Sequence, residues 1–581
     1  MITWKQKNEK ASSLEDVFRE RDLTEIIQYS SIPHMGKAAK RILDAAYNNE
    51  NIFVCGDYDS DGITSSAILW HGINALLPGN SPLPITHIRL PRRFSEGYGL
   101  SKTMVEEIPV NKGILITIDN GIAAFESIAF AKEKGLEVII IDHHLPDPKK
   151  GVPQADIIVD PHVYKNADTY ENYCAAGLAY RLIKTMWEES PAGMLSEDLD
   201  QRLLAFAAIG TIGDVVPLLQ DNRKMVKEGL AVIRSGKNLP EGVLRLLAET
   251  NKTDAFGKSF LTETDIAFGI VPYINAYGRM MDDGAQKALE YLLSETVSEN
   301  EISKFISVRD ERKKRQEDDT KKVLEIVENG MKNDRILVVY SPDLHEGIIG
   351  IIASTLVEKY YRPAIVLTQA EKDGKVITKG SGRTYGDIHL KDMLDQVSSV
   401  FLGYGGHKGA AGMSLPPKNV DTLRNELQKI APPIPDQIVD YYDIEIRGNE
   451  ATEKLYEKLS VYGPFGEGNP KVRFLVKDLS LIPNGSGFFR HLGSNEENIK
   501  LFSKNANVLA FGLYSRYKEI GTPVWINVIA NLDINAYMGE KTFQIEAIDF
   551  VTFPGEQKNT KSPLQALLEE KMKQKMTEAQ V

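Results

Sequence analysis

Three carboxylates stand at alternate positions in Asp57-Tyr58-Asp59-Ser60-Asp61-Gly62, directly after the β-rich run NIFVCG. Hard divalent cations need closely gathered oxygen ligands, which such a turn could supply. Taken alone it reads equally well as a solvated acidic turn or a calcium loop, although no Glu follows at the offset an EF-hand requires. Two further strand-like runs end in polar residues: TIDNG carries Asp119, and VIIIDHH carries Asp142, His143 and His144. A lone histidine is usually a satisfied structural residue, but two in succession after an aspartate at a strand end are hard to explain by packing. Asp214 in GTIGDVVPL follows an apolar helical run, where an unpaired carboxylate is costly to bury unless it caps the helix. The combined set is rich in oxygen with added imidazole, which suits Mn²⁺ or Mg²⁺ and differs from a sulfur-rich zinc site. The expected centre holds two metal ions.

Residues so far apart in the chain meet only if the fold delivers them to one place. NIFVCG, GILITIDNG and LEVIIIDHH read as strands, and the apolar ITSSAILWHGINALL and IAAFESIAFAKEKG between them as helices, in the order of βαβ units. In open α/β sheets the carboxyl ends of the strands face one crevice, so all three polar ends should open there. Residues 1–50 are expected to be a helical lead-in, and 51–298 an α/β domain with a helical second half, interrupted by loop-like TIGDVVPL and PYINAYGR. Residues 299–330 mix both charges with sparse apolar spacing, as an exposed connecting helix would. RILVVY, GIIGIIASTLVEKY and PAIVLTQ begin a second α/β unit over 331–430, with Gly-rich loops near 380 and 405. Short strands separated by turn residues over 440–553 suit an OB-type β-barrel, and 554–581 a tail helix of unknown purpose. The expected class is therefore α/β: a parallel-sheet domain joined by a long helix to a smaller α/β domain, followed by the barrel.

With 81 acidic against 69 basic residues the chain carries a net charge of −12, which argues against a protein that coats nucleic acid non-specifically. It leaves room for a nuclease, because metals and a local basic groove can hold a polyanion on an acidic protein. Cys55 and Cys174 lie in no zinc-ligand spacing and read as small core residues. The opening MITWKQKNEKASS has no apolar signal region, and no run approaches the roughly 18 apolar residues of a membrane span. A cytoplasmic protein without membrane contact is expected.

GDYDSDG, TIDNG, DHH and GDVVPL, in this order, resemble the DHH phosphoesterase superfamily. RRFSEGYGL, PYINAYGRM, GSGR at 380–383, GGHKGAAG at 405–412 and YGPFGEGNP at 462–470 extend the resemblance to its RecJ-type members, from about residue 30 to 553. The resemblance implies a single-strand-specific 5′ to 3′ DNA exonuclease that releases 5′ mononucleotides in repair and recombination. Asp59, Asp61, Asp119, His143 and Asp214 would ligate two metals, Mn²⁺ or Mg²⁺, with Asp57 in or just behind that shell and His144 near the scissile phosphate. The second α/β unit resembles the DHHA1 domain, which in this family grips substrate across a cleft. Ser381 and Arg383 could donate to a terminal phosphate, although without the resemblance their glycine neighbours would read as mere tight turns. Arg93 and Tyr98 look like the 5′-phosphate contact and the aromatic platform for the terminal base, while Arg279 and His407 would contact the backbone near the scissile bond. In the barrel, Phe488, Phe489, Arg490 and Lys500 could extend the strand's track, with core packing the commoner explanation for the aromatics. Implied partners are single-stranded DNA with a 5′ end, a single-strand binding protein and a helicase, acting on a monomer.

Three positions depart from the family pattern: Tyr273 where Arg is frequent, Tyr277 where Ala is frequent, and Glu346 where Pro is usual. Two other functions fit the same motifs. One is a phosphodiesterase for short oligoribonucleotides or cyclic dinucleotides, which would need no barrel. The other is a non-catalytic single-strand-binding module, which would be expected to have lost metal ligands.

Overall fold

Aliphatic, mostly β-branched residues fill Ile52–Cys55 (β2), Ile114–Ile118 (β4), Glu137–Ile141 (β5) and Ile157–Val159 (β6), and nearly all are buried. Runs of this kind form strands covered on both faces, as parallel sheets require. With Thr86–Arg89 (β3) they pair in parallel in the order β3-β2-β4-β5-β6. One face carries a large core shared with the helices Met35–Tyr47, Ser60–Asn74, Ala175–Glu189 and Glu197–Gly213, and the other packs on the helix Phe125–Glu133. From β2 the chain crosses to β3 on one side and then to β4 on the other, so the strand order reverses beside β2. Ligands of open α/β sheets sit at the carboxyl ends near such a reversal.

The computed structural model describes residues 2–76, 86–110, 112–190, 195–252, 259–372, 374–406, 408–485, 487–493, 495–537 and 540–552. His407 and the expected tail helix lie outside the described residues. Among those described, no helix is long and apolar enough to cross a membrane.

The connecting helix, Glu299–Gly330, is capped by Ser298 and Glu301 in a reciprocal capping box. It is anchored at both ends: Ile302, Phe305 and Val308 enter the first core, and Val323 and Val327 enter a core of the second unit. Phe305 lies between the rings of Tyr277 and Tyr291, each with centroids 4.0 Å away, so Tyr277 is the near wall of a three-ring stack.

The second unit is a mixed five-stranded sheet in the order β10-β11-β9-β8-β7. Its strands are Leu337–Tyr340 (β7), Ala364–Lys372 (β8), Lys375–Arg383 (β9), Gly403–Gly406 (β10) and Ala410–Leu415 (β11). The Gly-rich segments near 380 and 405 are therefore strands, not the loops expected. Glycine serves packing there: a Cβ on Gly382 would stand 2.7 Å from Leu390 Cδ2. PYINAYGR is likewise helical, Val271–Met280, with Pro272 in the first turn where its missing N–H costs nothing.

The third unit is a seven-stranded sheet in the order β13-β14-β18-β19-β17-β16-β15, of OB type. Its strands are Ile444–Arg447 (β13), Phe474–Ser480 (β14), Phe489–Leu492 (β15), Asn495–Leu501 (β16), Asn507–Ala510 (β17), Trp525–Tyr537 (β18) and Glu540–Val551 (β19). Phe488 is in its core and Phe489 packs against that core, whereas Arg490 and Lys500 are cross-strand partners. The lead-in is not wholly helical, because Ile2–Gln6 (β1) pairs in parallel with Ile438–Tyr442 (β12). Leu14, Val17 and Phe18 then enter the barrel core, a pairing over hundreds of residues that local periodicity cannot foretell.

Candidate metal centre and nucleic-acid cleft

Three strands of the first sheet, β2, β4 and β5, deliver their polar ends to the same crevice. After β2, Asp59 caps the helix Ser60–Asn74, its Oδ1 accepting the N–H groups of Asp61 (3.0 Å) and Gly62 (3.2 Å). Asp61 faces a second helix end: its two oxygens accept the N–H groups of Ala175 (2.7 Å) and Ala176 (2.8 Å), the first residues of Ala175–Glu189. Exposed amides and the helix dipole favour an anion at that position. Asp57 is buried and accepts the Gly99 N–H at 3.3 Å. Asp119 follows β4 at φ +63°, in the left-handed region that aspartate tolerates better than most residues with a side chain. Asp214 terminates Glu197–Gly213, so it is both the helix cap that its sequence context suggested and a neighbour of the cluster.

His143 stands among these carboxylates. Its Nε2 lies 3.1 Å from Asp119 Oδ1, 3.7 Å from Asp61 Oδ2 and 3.8 Å from Asp214 Oδ2. Three overlapping groups have ligand atoms all within 4.8 Å of one another: Asp57, Asp59 and Asp119; Asp61, His143 and Asp214; and Asp119, His143 and His144. The electrostatics of this assembly are unfavourable by themselves. Burial, followed by Asp214, pushes Asp61 up to about 7; burial, followed by Asp59, does the same to Asp214. Burial and then neighbouring aspartates also hold Asp57 and Asp119 well above the usual carboxylate range. Burial lowers His143, which keeps its ring neutral and able to ligate. A cluster of buried carboxylates around one neutral imidazole fits a hard divalent cation, which would supply the missing positive charge. Neither cysteine competes: both are buried, and Cys174 Sγ instead accepts the Gly177 N–H at its helix start.

Asp142 organises the DHH segment and was not singled out as a site residue by sequence reasoning. It is 1% exposed, and its Oδ1 accepts the N–H groups of His143 (2.8 Å) and His144 (3.2 Å) and pairs with His144 Nδ1 (2.7 Å). Its Oδ2 accepts the Ile122 N–H at 2.9 Å. Burial opposes ionisation of Asp142, but His144 and these N–H groups hold it below the ordinary range. The same bond raises the half-exposed His144 ring to about 9 against the effect of burial. His144 Nε2 meets the Tyr98 hydroxyl at 3.1 Å, while 54% of Tyr98 stays open to solvent.

Asn120 and Asn275 were also missed. Asn120 accepts the Leu100 N–H (3.0 Å) and donates to the carbonyls of Cys55 (3.0 Å) and Ile118 (2.9 Å), binding the ends of β2 and β4 to the RRFSEGYGL loop. Asn275 Oδ1 accepts the Ser60 N–H at 2.8 Å, and a Cβ on Gly278 would collide with the Tyr58 carbonyl oxygen. Both Asn275 and Gly278 lie inside the PYINAYGR string, whose Asn and Gly were the available signal. That helix therefore presses directly on the aspartate turn.

Arg93 lies with its guanidinium 4.2 Å from the centre of the Tyr58 ring, and Arg279 donates to the Gly347 carbonyl of the second unit at 3.3 Å. Gly347 leads into the helix Ile349–Tyr360, against which Ser381 and Arg383 of β9 are packed: a Cβ on Gly350 would stand 3.0 Å from Ser381 Oγ and 3.1 Å from Arg383 Nη2. Arg383 also donates to Ser381 Oγ at 3.1 Å. Asp57, Asp59, Asp61, Asp119, His143, His144 and Asp214 thus share one crevice, with Arg93, Tyr98 and Arg279 at its rim. Ser381 and Arg383 sit across the junction between the two units, beside a helix N-terminus. Glu346 forms an ion pair with Lys379 at 2.9 Å, which accounts for an acidic residue at that turn.

Residues 51–211 match the DHH family N-terminal domain, 333–431 the DHHA1 domain and 442–549 the RecJ OB domain, in that order. The chain belongs to the RecJ family. It is 31% identical over 525 residues to the single-stranded-DNA-specific exonuclease RecJ of Bacillus subtilis, covering 88% of this chain but only 62% of that protein's length. The RecJ of Haemophilus influenzae is 29% identical, with 92% of this chain and 93% of that protein covered. The crystal structure of Thermus thermophilus RecJ in complex with Mn²⁺ superposes with a TM-score of 0.73 at 26% identity, covering 91% of this chain and 73% of that one. The RecJ fold thus extends over the metal crevice, the connecting helix and the barrel.

Proposed function

We propose that this chain is a metal-dependent exonuclease that digests single-stranded DNA from its 5′ end to mononucleotides. The observation that carries the reading is the crevice itself, where six carboxylate and imidazole ligands from four chain segments converge beside the strand ends. Two of the three ligand groups, Asp57-Asp59-Asp119 and Asp61-His143-Asp214, share no residue, which supports a pair of cations. The relatives named for single-stranded DNA, and the Mn²⁺ bound in the Thermus protein, agree with this reading. Bound there, Mn²⁺ or Mg²⁺ would lower the pKa of a water and stabilise the leaving oxygen, the chemistry of two-metal phosphodiester hydrolysis.

The chain's own residues do the rest. Asp142 fixes the His144 ring, whose protonated Nε2–H donates to the Tyr98 hydroxyl here and can be shared with a phosphate oxygen of an incoming strand. Tyr98 offers an open ring for base stacking, while Arg93 and Arg279 balance phosphate charge. Ser381, Arg383 and the start of Ile349–Tyr360 form an anion site across the junction, suited to a terminal 5′-phosphate, which sets polarity. His407 belongs to the same group by resemblance alone. The likeness to RecJ proteins supports work in DNA repair and recombination, as a cytoplasmic monomer beside a single-strand binding protein and a helicase.

The test is to offer the purified protein with Mn²⁺ a long single-stranded DNA, the same strand annealed to its complement, and a dinucleotide. Rapid release of mononucleotides from the 5′ end of the single strand is expected. Faster turnover of the dinucleotide, or equal digestion of the duplex, contradicts the reading.

A further inference from the structure

The chain carries more acidic than basic residues, yet several arginines at the cleft have no carboxylate partner. Arg93, Arg279 and Arg312 take part in none of the ion pairs among the described residues. Arg93 Nη1 and Arg312 Nε are buried without any hydrogen-bond partner. Arg312 satisfies one nitrogen on the neutral Gln316, at 3.0 Å, and Arg279 one on the Gly347 carbonyl. Arg309, one helical turn before Arg312 on the connecting helix and hence on the same face, donates to the Tyr273 hydroxyl at 2.6 Å with its guanidinium 4.4 Å from the ring centre. Its Nε lies 3.1 Å from Asp310 Oδ1 without making a hydrogen bond.

These cations oppose one another. Burial, and then Arg93, lowers Arg279 to about 10 against the opposing pull of Tyr58 and Asp59, and Arg312 adds a smaller push in the same direction as Arg93; Arg312 is itself lowered by burial and then by Arg309. Asp57 and Asp59 offset part of this repulsion at the crevice end of the row, but neither pairs with an arginine among the described residues. A half-buried guanidinium beside like charges and without a paired anion is destabilising, and a fold retains such a row when something else supplies the negative charge. The row starts at the metal crevice, where Arg93 acts on Asp57, and ends at Tyr273 against the connecting helix.

We infer that Arg309 and Arg312 of the connecting helix continue the row begun by Arg93 and Arg279 into a track for successive backbone phosphates, with Tyr273 holding Arg309 in place. The inference rests on the reading that the cleft takes a nucleic-acid strand. It assigns a role to one departure from the family pattern: the cation absent at position 273 is supplied from the helix by Arg309, held on the aromatic residue found there. The competing account makes the Arg309–Tyr273 contact a simple staple between two helices.

Salt dependence separates the two accounts. Binding of a 5′-phosphorylated oligothymidylate is measured in chelator, where nothing is cut, across a range of salt concentrations. Each phosphate contact to a single strand contributes about 0.7 to the slope of log K against log salt. Arg309→Gln and Arg312→Gln should each flatten the slope by about 0.7, and the double variant by about 1.4, whereas Arg309→Lys, which keeps the charge, should hold it. A staple would instead lower the melting temperature of both position-309 variants and leave the slope alone. A steep wild-type slope that the double variant retains overturns the track and spares the proposed function. A wild-type protein without salt-dependent binding to the single strand overturns both.

Discussion

Asp142→Asn changes one atom of a residue that touches no proposed metal position. The carboxylate accepts three hydrogen bonds at Oδ1 and one at Oδ2. An amide offers a single acceptor oxygen, so at least one buried N–H must face an NH₂ group. Leaving a buried donor unmade costs about 1–3 kcal/mol, which should appear as lost stability in denaturant unfolding. The charge that orients His143 and His144 disappears as well. Loss of such an outer-shell carboxylate typically lowers metal affinity or activity by about 10–100-fold. That corresponds to about 1.4–2.7 kcal/mol, the size of one charge-assisted hydrogen bond. His144 gives a second readout in metal-free protein. Its ring titrates at about 9 because of Asp142, and should fall toward the ordinary value of about 6.5 in the variant. At a pH of about 8 the protonated fraction would drop from roughly nine in ten to roughly one in thirty. NMR titration of the His144 ring, with steady-state hydrolysis of single-stranded DNA in Mn²⁺, tests both parts. An unmoved His144 titration together with wild-type turnover would refute the assignment of Asp142 as the positioning residue.

Asp61 and Asp214 titrate near 7 in the metal-free fold, above the ordinary 3.8, so between those values the native state binds more protons than the unfolded chain. Their contribution to stability is therefore present at low pH and lost as pH rises toward 7, while metal binding needs them ionised. The gain in melting temperature from Mn²⁺ should accordingly widen from a pH of about 6 to about 8, and calorimetry showing it shrink would count against this linkage. Gly278→Ala would gain about 1 kcal/mol in an ordinary helix. Here the new methyl collides with the Tyr58 carbonyl, so Mn²⁺ affinity by titration calorimetry should fall; equal affinity would mean that the helix does not brace the aspartate turn. Arg383→Ala should raise the KM for a 5′-phosphorylated strand and abolish any preference over a 5′-hydroxyl strand. A preserved preference in competition assays would place the 5′-phosphate elsewhere.

Much of this was legible in sequence because local pattern and global fold agree. The runs IFVC, ILITI and EVIII are short and β-branched-rich and alternate with helical segments, as buried parallel strands do, and each ends in the polar residues that the sheet carries to one edge. The connecting helix was equally plain, since its mixed charges and sparse apolar spacing mark an exposed helix over 299–330. PYINAYGR misled because glycine and proline suggested a break. Pro272 sits where a helix tolerates it, and Gly278 is small to admit the Tyr58 carbonyl. The glycines of β9 misled for the same reason, as tertiary packing decided what local propensity could not. β1 was illegible because its partner, β12, lies hundreds of residues later in the chain. Asp142 was visible as a residue, but its part as acceptor for two histidines depends on a turn that only coordinates reveal. The Arg309–Tyr273 contact joins segments that no motif connects.

The central claim is that the crevice from Asp57 to Asp214 binds the divalent cations that hydrolysis requires. Release of mononucleotides from 5′-phosphorylated single-stranded DNA, followed before chelation, after exhaustive chelation and after return of Mn²⁺, tests it most directly. Hydrolysis should vanish with the metal and return with it; undiminished hydrolysis in the chelated protein would contradict the account.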